Sequence, residues 1–183
     1  MVSDGRAWLE EVERLDLACY AAVASTPTPR LDRAMARLSR AADHSRLSLT
    51  AAAGLALFGG ARGRRAAVAG LTSVAVTATV VNVAVKPLAR RRRPDRLAHE
   101  VPVARHVPMP TSRSFPSGHS AAAFAFAGGA GNVAPAASLP LHALAGLVAY
   151  SRVHTGVHYP LDAIAGSVLG AALSDVARRL RQS

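Results

Sequence analysis

The 183 residues make one domain with enough chain to bury a sizeable core; half are apolar, only 4% are aromatic, and the formal net charge is +11. A charge that high raises nucleic acid as a partner. Yet the arginines gather at the ends of apolar runs (Arg62, Arg64 and Arg65; Arg90 to Arg93; Arg178, Arg179 and Arg181) and no basic helix face carries interleaved aromatics, so anionic lipid headgroups are the better counter-ion. The single Cys19 excludes an intrachain disulfide and a thiolate metal site, and no H-E-x-x-H zinc pattern occurs.

Met1 to Glu13 is charged and lacks the apolar stretch of a cleavable signal peptide, so export would rest on membrane spans themselves. Residues 6–24 read as a short amphipathic helix that ends before the Thr26-Pro27-Thr28-Pro29 break. Leu31 to Ala42 reads as a second, with Leu31, Met35, Leu38 and Ala42 on one face. Neither can span a bilayer, and both are expected at its interface. A first span is expected from about Leu47 to Ala61, followed by the turn Arg62-Gly63-Arg64-Arg65. Ala66 to Val85 then runs 20 residues without a charge, the length that crosses about 30 Å of hydrocarbon. A loop of about thirty residues, Lys86 to Phe115, holds prolines and charges. Further uncharged runs follow at Phe115 to Gly131, Ala136 to Ser151 and Ala163 to Ser174, with Gly131 to Pro135 as a hairpin break and Pro160 as the last helix start.

These runs are rich in Ala and Gly, which lets helices pack closely in a bilayer. The expected fold is therefore all-α, a polytopic transmembrane helical bundle of about five spans plus the N-terminal interfacial helices. A soluble all-helical domain with buried helices is the alternative. The expected organisation is 1–46 for the interfacial helices, 47–177 for a membrane-embedded core and 178–183 for a basic tail.

Three motifs carry the chemistry: Lys86 to Pro94 as K-x6-R-P, Pro116-Ser117-Gly118-His119, and Ser151 to Asp162 as S-R-x5-H-x3-D. Five spans from Leu47 bring all three to one face of the membrane. Pro116-Ser117-Gly118-His119 precedes an apolar helical run, where free N–H groups and the helix dipole make an anion site. Ser117 adds a hydroxyl there and Gly118 permits close approach. His158 and Asp162 are four apart across Pro160, so the carboxylate can hold one imidazole nitrogen protonated and leave the other as nucleophile or base. Lys86, Arg93 and Arg152 are fixed cations suited to phosphate oxygens and to the charge of a phosphoryl transition state. Arg90, Arg91 and Arg92 fall outside the motif register and are expected to face solvent or headgroups. His99, His106, His142 and His154 are expected to be structural or surface residues.

The three motifs closely resemble the type 2 phosphatidic acid phosphatase family, the lipid phosphate phosphatases, whose superfamily also includes vanadium-dependent haloperoxidases and bacterial acid phosphatases. The resemblance covers about residues 47–177. It implies that His158 takes the phosphoryl group as a phosphohistidine, that Asp162 orients it, and that His119 is the general acid at the leaving oxygen. Lys86, Arg93, Ser117, Gly118 and Arg152 would bind the phosphate oxygens, with no metal or cofactor required. The implied substrate is a membrane lipid phosphate: a polyprenyl (pyro)phosphate, a prenyl-linked sugar phosphate or phosphatidate. It also implies a bacterial plasma-membrane protein with its site on the extracytoplasmic side.

Against that orientation, the motif side carries more Lys and Arg than the other, which the positive-inside rule assigns to the cytoplasm. Several of those cations are phosphate-ligand candidates, which weakens the count. Two other functions fit part of the pattern: a vanadate-dependent haloperoxidase using the same anion cradle, and a non-catalytic membrane protein that binds anionic lipid. The spans argue against the first. The presence of His119, His158 and Asp162 argues against the second, because binding needs only the cations.

Overall fold

The computed structural model describes residues 2–181, all of them helix, turn or loop. Helix α1 runs Val2–Ser25, α2 Pro29–Ala41, α3 Arg46–Phe58 and α4 Gly60–Thr79. The same rod continues through a π turn, Val80–Val85, into a last α turn, α5, at Lys86–Leu88. After a long loop come α6 Gly118–Gly131, α7 Pro135–His154 and α8 Pro160–Leu180. Pro29, Pro135 and Pro160 each open a helix, where proline's fixed φ fits and its missing N–H is not needed. The expected break at Gly131 to Pro135 is the turn between α6 and α7. Helix α8 carries on to Leu180, so the start of the segment expected as a basic tail is helical, and residues 182–183 lie outside the described residues.

Helix α6 is the axis of the bundle, with α4, α7 and α8 around it and α3 against α4. Close approach explains its composition. Gly166 and Gly170 of α8, spaced as G-x-x-x-G, lie on the backbone carbonyls of Ser117 and Ala121, and a Cβ at either position would drive into them. On the α4 side, the Phe126 ring fills the room left by Gly70, where a Cβ would come within 2.7 Å of it. Phe126 closes a core of Ala52, Ala66, Ala67, Val74 and Ala130.

The outer surfaces of these helices are apolar: Leu57, Phe58, Val68, Val83, Ile164 and Val168 all face outward. The rod Gly60–Leu88 and helix α8 are long and apolar enough to cross a membrane, at 29 and 21 residues. Helices α3 and α6, with 13 and 14 residues, reach only about 20 Å at 1.5 Å per residue.

The apolar face read for the second N-terminal helix does turn inward, with Met35 and Ala42 buried, but both N-terminal helices bury polar groups beside it. The buried stripe of α2 is Asp32, Met35, Ala36 and Ser39, half of it polar. Asp16 of α1 is buried too. The polar groups turn inward onto guanidinium groups: Asp16 meets Arg91, Ser39 meets Arg152, and Asp32 meets Arg105. Its Nε donates to Asp32 at 2.8 Å, and its other nitrogens donate to the carbonyls of Val23 and Thr26. His154 closes the clamp, its Nε2 2.9 Å from the same Asp32 oxygen, the structural role expected of it.

Candidate active site

The start of α8 fixes the first half of the site. Tyr159 caps the helix, and Asp162, three residues on, accepts back from the Tyr159 N–H at 3.0 Å. The same carboxylate takes the Ser114 hydroxyl at 2.5 Å and lies 3.5 Å from Nδ1 of His158. His158 sits in the short connection between α7 and α8 and is 1% exposed. Its Nε2 is 3.1 Å from Arg93 Nη1. Burial pushes the imidazole down to about 4. The charges of Arg93 and Arg152 add to that shift, and Asp162 opposes it. The ring is therefore neutral at ordinary pH, with Nδ1 directed at a carboxylate and Nε2 at a cation.

Arg93 is aimed by the loop rather than by a helix. Its Nε donates to the Ser112 carbonyl at 2.8 Å and its Nη1 to that of Val157 at 2.9 Å. Lys86 arrives from the opposite side, on the turn after the π segment. Its Nζ approaches the Ser112 hydroxyl at 3.4 Å and stands 3.4 Å from where a Gly118 Cβ would be. The ammonium thus comes down onto the start of α6 to contact distance of Gly118.

Ser117 caps α6. Its Oγ accepts from the N–H and hydroxyl of Ser120, and its own N–H donates to the Asp162 carbonyl at 2.9 Å. The serine expected to face the phosphate is thus fully buried in a joint between the two catalytic helices. The N–H groups of Gly118 and His119, in the first turn, remain as anion donors.

His119 and Arg152 meet at a residue the sequence reading did not single out. Asp43 Oδ1 is 3.0 Å from His119 Nε2 and 3.6 Å from Arg152 Nη1. Asp43 precedes His44 and Ser45, both held at positive φ. Arg152 is 1% exposed and anchored on the Ser39 hydroxyl at 2.6 Å, while its Nε has no hydrogen-bond partner among the described residues. A buried N–H without a partner is costly, and a phosphate oxygen is a fitting acceptor for it.

Arg91 requires a correction. It was expected to face solvent or headgroups, but its Nη1 donates to Asp162 at 3.1 Å, its Nη2 pairs with Asp16, and its guanidinium lies 4.3 Å from the centre of the Tyr159 ring. Asp16 in turn accepts the Leu161 N–H at 2.8 Å. A guanidinium between two buried carboxylates is better paired there than in water. The register of the motif gave no sign of this, because the partner comes from α1, 75 residues earlier.

Beside Lys86, Gly118 and His119 opens a cavity of about 220 Å³. Its other walls include Leu47, Ala78, Val81, Ala122 and Val148, so a cationic mouth leads onto an apolar flank among α3, α4, α6 and α7.

The three motifs thus meet in one place, and residues 66–182 match the PAP2 superfamily. The chain belongs to this superfamily. PAP2 relatives include the decaprenylphosphoryl-5-phosphoribose phosphatase of Mycobacterium tuberculosis, 39% identical over 103 residues, 56% of this chain and 54% of that protein. The chain spans about half the length of that relative. The undecaprenyl-diphosphatase of Sulfolobus acidocaldarius is 44% identical over 71 residues, 37% of this chain and 33% of that one. Two crystal structures share the PAP2 fold at a TM-score of 0.70 and 24% identity. One is Aquifex aeolicus LpxE, with 90% of this chain and 95% of that chain covered. The other is a transmembrane PAP2-type phosphatidylglycerolphosphate phosphatase of Bacillus subtilis, with 94% and 87% covered. The all-α, membrane-spanning bundle expected from the sequence agrees with this fold.

Proposed function

We propose that this PAP2 protein is a metal-independent lipid phosphatase that works through a phosphohistidine. The observation that carries the reading is the environment of His158, with Nδ1 facing Asp162 and Nε2 facing the Arg93 guanidinium. The phosphate of the substrate lies between Lys86, Arg93, Arg152 and the first N–H groups of α6. Nε2 of His158 attacks phosphorus as the bond to the leaving oxygen breaks, and His119 gives that oxygen its proton. Water then attacks the phosphohistidine and His119 takes a proton back, so that inorganic phosphate leaves and His158 is restored. The three fixed cations and the N–H donors neutralise the charge on the equatorial oxygens through both steps.

The substrate is a phosphomonoester or pyrophosphate of a membrane lipid, with a polyprenyl (pyro)phosphate or prenyl-linked sugar phosphate preferred over phosphatidate. The apolar flank of the 220 Å³ cavity supports this, as do the names of the two relatives. In this reading residues 1–46 are N-terminal interfacial helices, residues 47–177 form the membrane-embedded phosphatase core, and residues 178–183 are a basic C-terminal tail. The site faces the extracytoplasmic side of a bacterial plasma membrane.

The test is phosphate release by the detergent-purified protein, run with EDTA. The substrates are decaprenyl and undecaprenyl (pyro)phosphate, prenyl-linked ribose phosphate, phosphatidate and phosphatidylglycerol phosphate. Release that survives EDTA and vanishes in His158→Ala is the expected result. Well-folded wild-type protein that releases nothing from any of them would overturn the reading.

A further inference from the structure

The end of the bundle away from the catalytic motifs carries a second charged cavity, of about 510 Å³, more than twice the size of the catalytic one. Four arginines surround it: Arg64 and Arg65 from the first turns of α4, Arg178 from the last turn of α8 and Arg181 just past its end. Val68, Ala69, Asn132 and Val133 complete the wall. The two ends are well separated, since Lys86 lies about 33 Å from Arg64 along one rod at 1.5 Å per residue.

The arginines are little neutralised by protein. Arg181 folds back to donate to the Ala69 carbonyl at 3.2 Å, and Arg178 Nε lies 3.8 Å from Asp175, a distant and exposed pair. Among the described residues four like charges meet here with only the distant Asp175 beside them, an arrangement that favours an anion between them.

A second observation says what kind of anion. Arg64 and Val68 also line a neighbouring groove of about 460 Å³ between α3 and α4. Its remaining walls are Leu49, Ala52, Ala53, Ala56, Ala67 and Leu71, all apolar. The basic cavity therefore continues directly into a hydrocarbon-lined groove, on the outer surface of a helix that crosses the membrane. A free phosphate would use only the first part; a phospholipid uses both.

We propose that this end of the molecule is a binding site for an anionic glycerophospholipid. Its headgroup phosphate lies among Arg64, Arg65, Arg178 and Arg181, and an acyl chain lies along the α3–α4 groove. Guanidinium groups suit the phosphate by charge and by their paired donors, and basic pockets between membrane helices suit anionic headgroups. The site is distinct from the catalytic one and does not depend on the reaction assigned there. By holding α4 to α8 at the end opposite the motifs, the lipid acts as a clasp on the bundle.

The experiment is native mass spectrometry of the full chain released from nanodiscs of phosphatidylcholine alone or phosphatidylcholine with phosphatidylglycerol. The wild type retains phosphatidylglycerol in preference to phosphatidylcholine. R64Q/R65Q/R178Q/R181Q retains it about tenfold less while still hydrolysing its phosphate substrate. Val68→Glu, which leaves every arginine in place but sets a carboxylate between cavity and groove, loses the lipid as well and decides the matter if the quadruple variant does not fold. Equal retention of the two lipids by the wild type overturns the site, as does undiminished retention by both variants. Displacement of the bound lipid by inorganic phosphate alone overturns the lipid assignment in favour of a simple anion site.

Discussion

The Arg93 guanidinium covers one edge of the His158 ring: Nη1 lies 3.1 Å from Nε2, the ring nitrogen not turned toward Asp162. In the proposed mechanism a phosphate entering the site takes Arg93 as its own partner and so uncovers the lone pair it will meet. The cation thus has two partners in sequence, and the second is better charged than the first.

The pH profile follows from this contact. Burial first, and then Arg93 and Arg152, push His158 from 6.5 down to about 4, so the imidazole stays unprotonated until the solution is quite acidic. The acidic limb of kcat/KM that reports this group in the free enzyme is expected near pH 4, not near 6.5. Arg93→Gln removes one of the depressing charges. It should move the limb upward but short of 6.5, because burial, the larger cause, remains. The plateau should fall about 10²–10³-fold, the usual loss for one donor to a developing oxyanion. A limb at the same pH in Arg93→Gln would contradict the assignment.

Arg91 and Asp16 act through Asp162. Arg91→Gln or Asp16→Asn leaves the reacting groups in place but loosens the carboxylate that orients His158. We expect kcat to drop by about 10–100-fold with KM nearly unchanged, the pattern of a misplaced rather than missing group. Asp162→Asn should be far worse, about 10⁴-fold, because the favoured tautomer is lost. Steady-state kinetics on all three variants tests the order. A rise in KM without a fall in kcat would place Arg91 on the substrate instead.

Asp43 stands between His119 and Arg152, two groups that the proposed mechanism sets on the substrate phosphate. With a carboxylate 3.0 Å from His119 and 3.6 Å from Arg152, an incoming anion is repelled and must displace it. In Asp43→Asn the repulsion is gone, so inorganic phosphate should inhibit about fivefold more tightly, the equivalent of about 1 kcal/mol. Turnover should fall at the same time, because the protonated form of His119 loses its carboxylate partner. Inhibition constants and kcat measured together check both halves.

The same logic of close approach governs stability. Gly170→Ala forces a methyl group against the Ala121 carbonyl and should cost about 1–3 kcal/mol. Gly146, in the middle of α7, has open space around its Cβ direction, and Gly146→Ala should stabilise by about 0.5–1 kcal/mol through helix propensity alone. Thermal unfolding in detergent, followed by circular dichroism, should move in opposite directions for the two.

Much of this architecture was legible along the chain. Pro135 and Pro160 marked helix starts, the uncharged runs became α4, α6, α7 and α8, and Lys86, Arg93, His119, Arg152, His158 and Asp162 came together as their motifs implied. Local pattern could not show what the first 45 residues do. Asp16, Asp32 and Ser39 sit on helices expected at the membrane interface, Asp43 just after them, and their partners lie 73 to 145 residues away. Nothing in helical periodicity distinguishes a carboxylate facing water from one facing a buried guanidinium. Arg91 was misread for that reason: one residue in a run of four arginines is singled out only by a partner from a distant helix.

The turn Val80–Val85 has a consequence for the cation that follows it. An α-helix advances each side chain about 100° around its axis, and a wider π turn holds one more residue in the same rise. The compass bearing of Lys86 is therefore written in the backbone hydrogen-bond pattern one turn upstream. The same six residues wound as a regular α-helix would carry the ammonium about 100° off Gly118, emptying one corner of the cradle with every motif residue still in the chain, whereas excising a single valine would restore regular winding and leave Lys86 on its bearing.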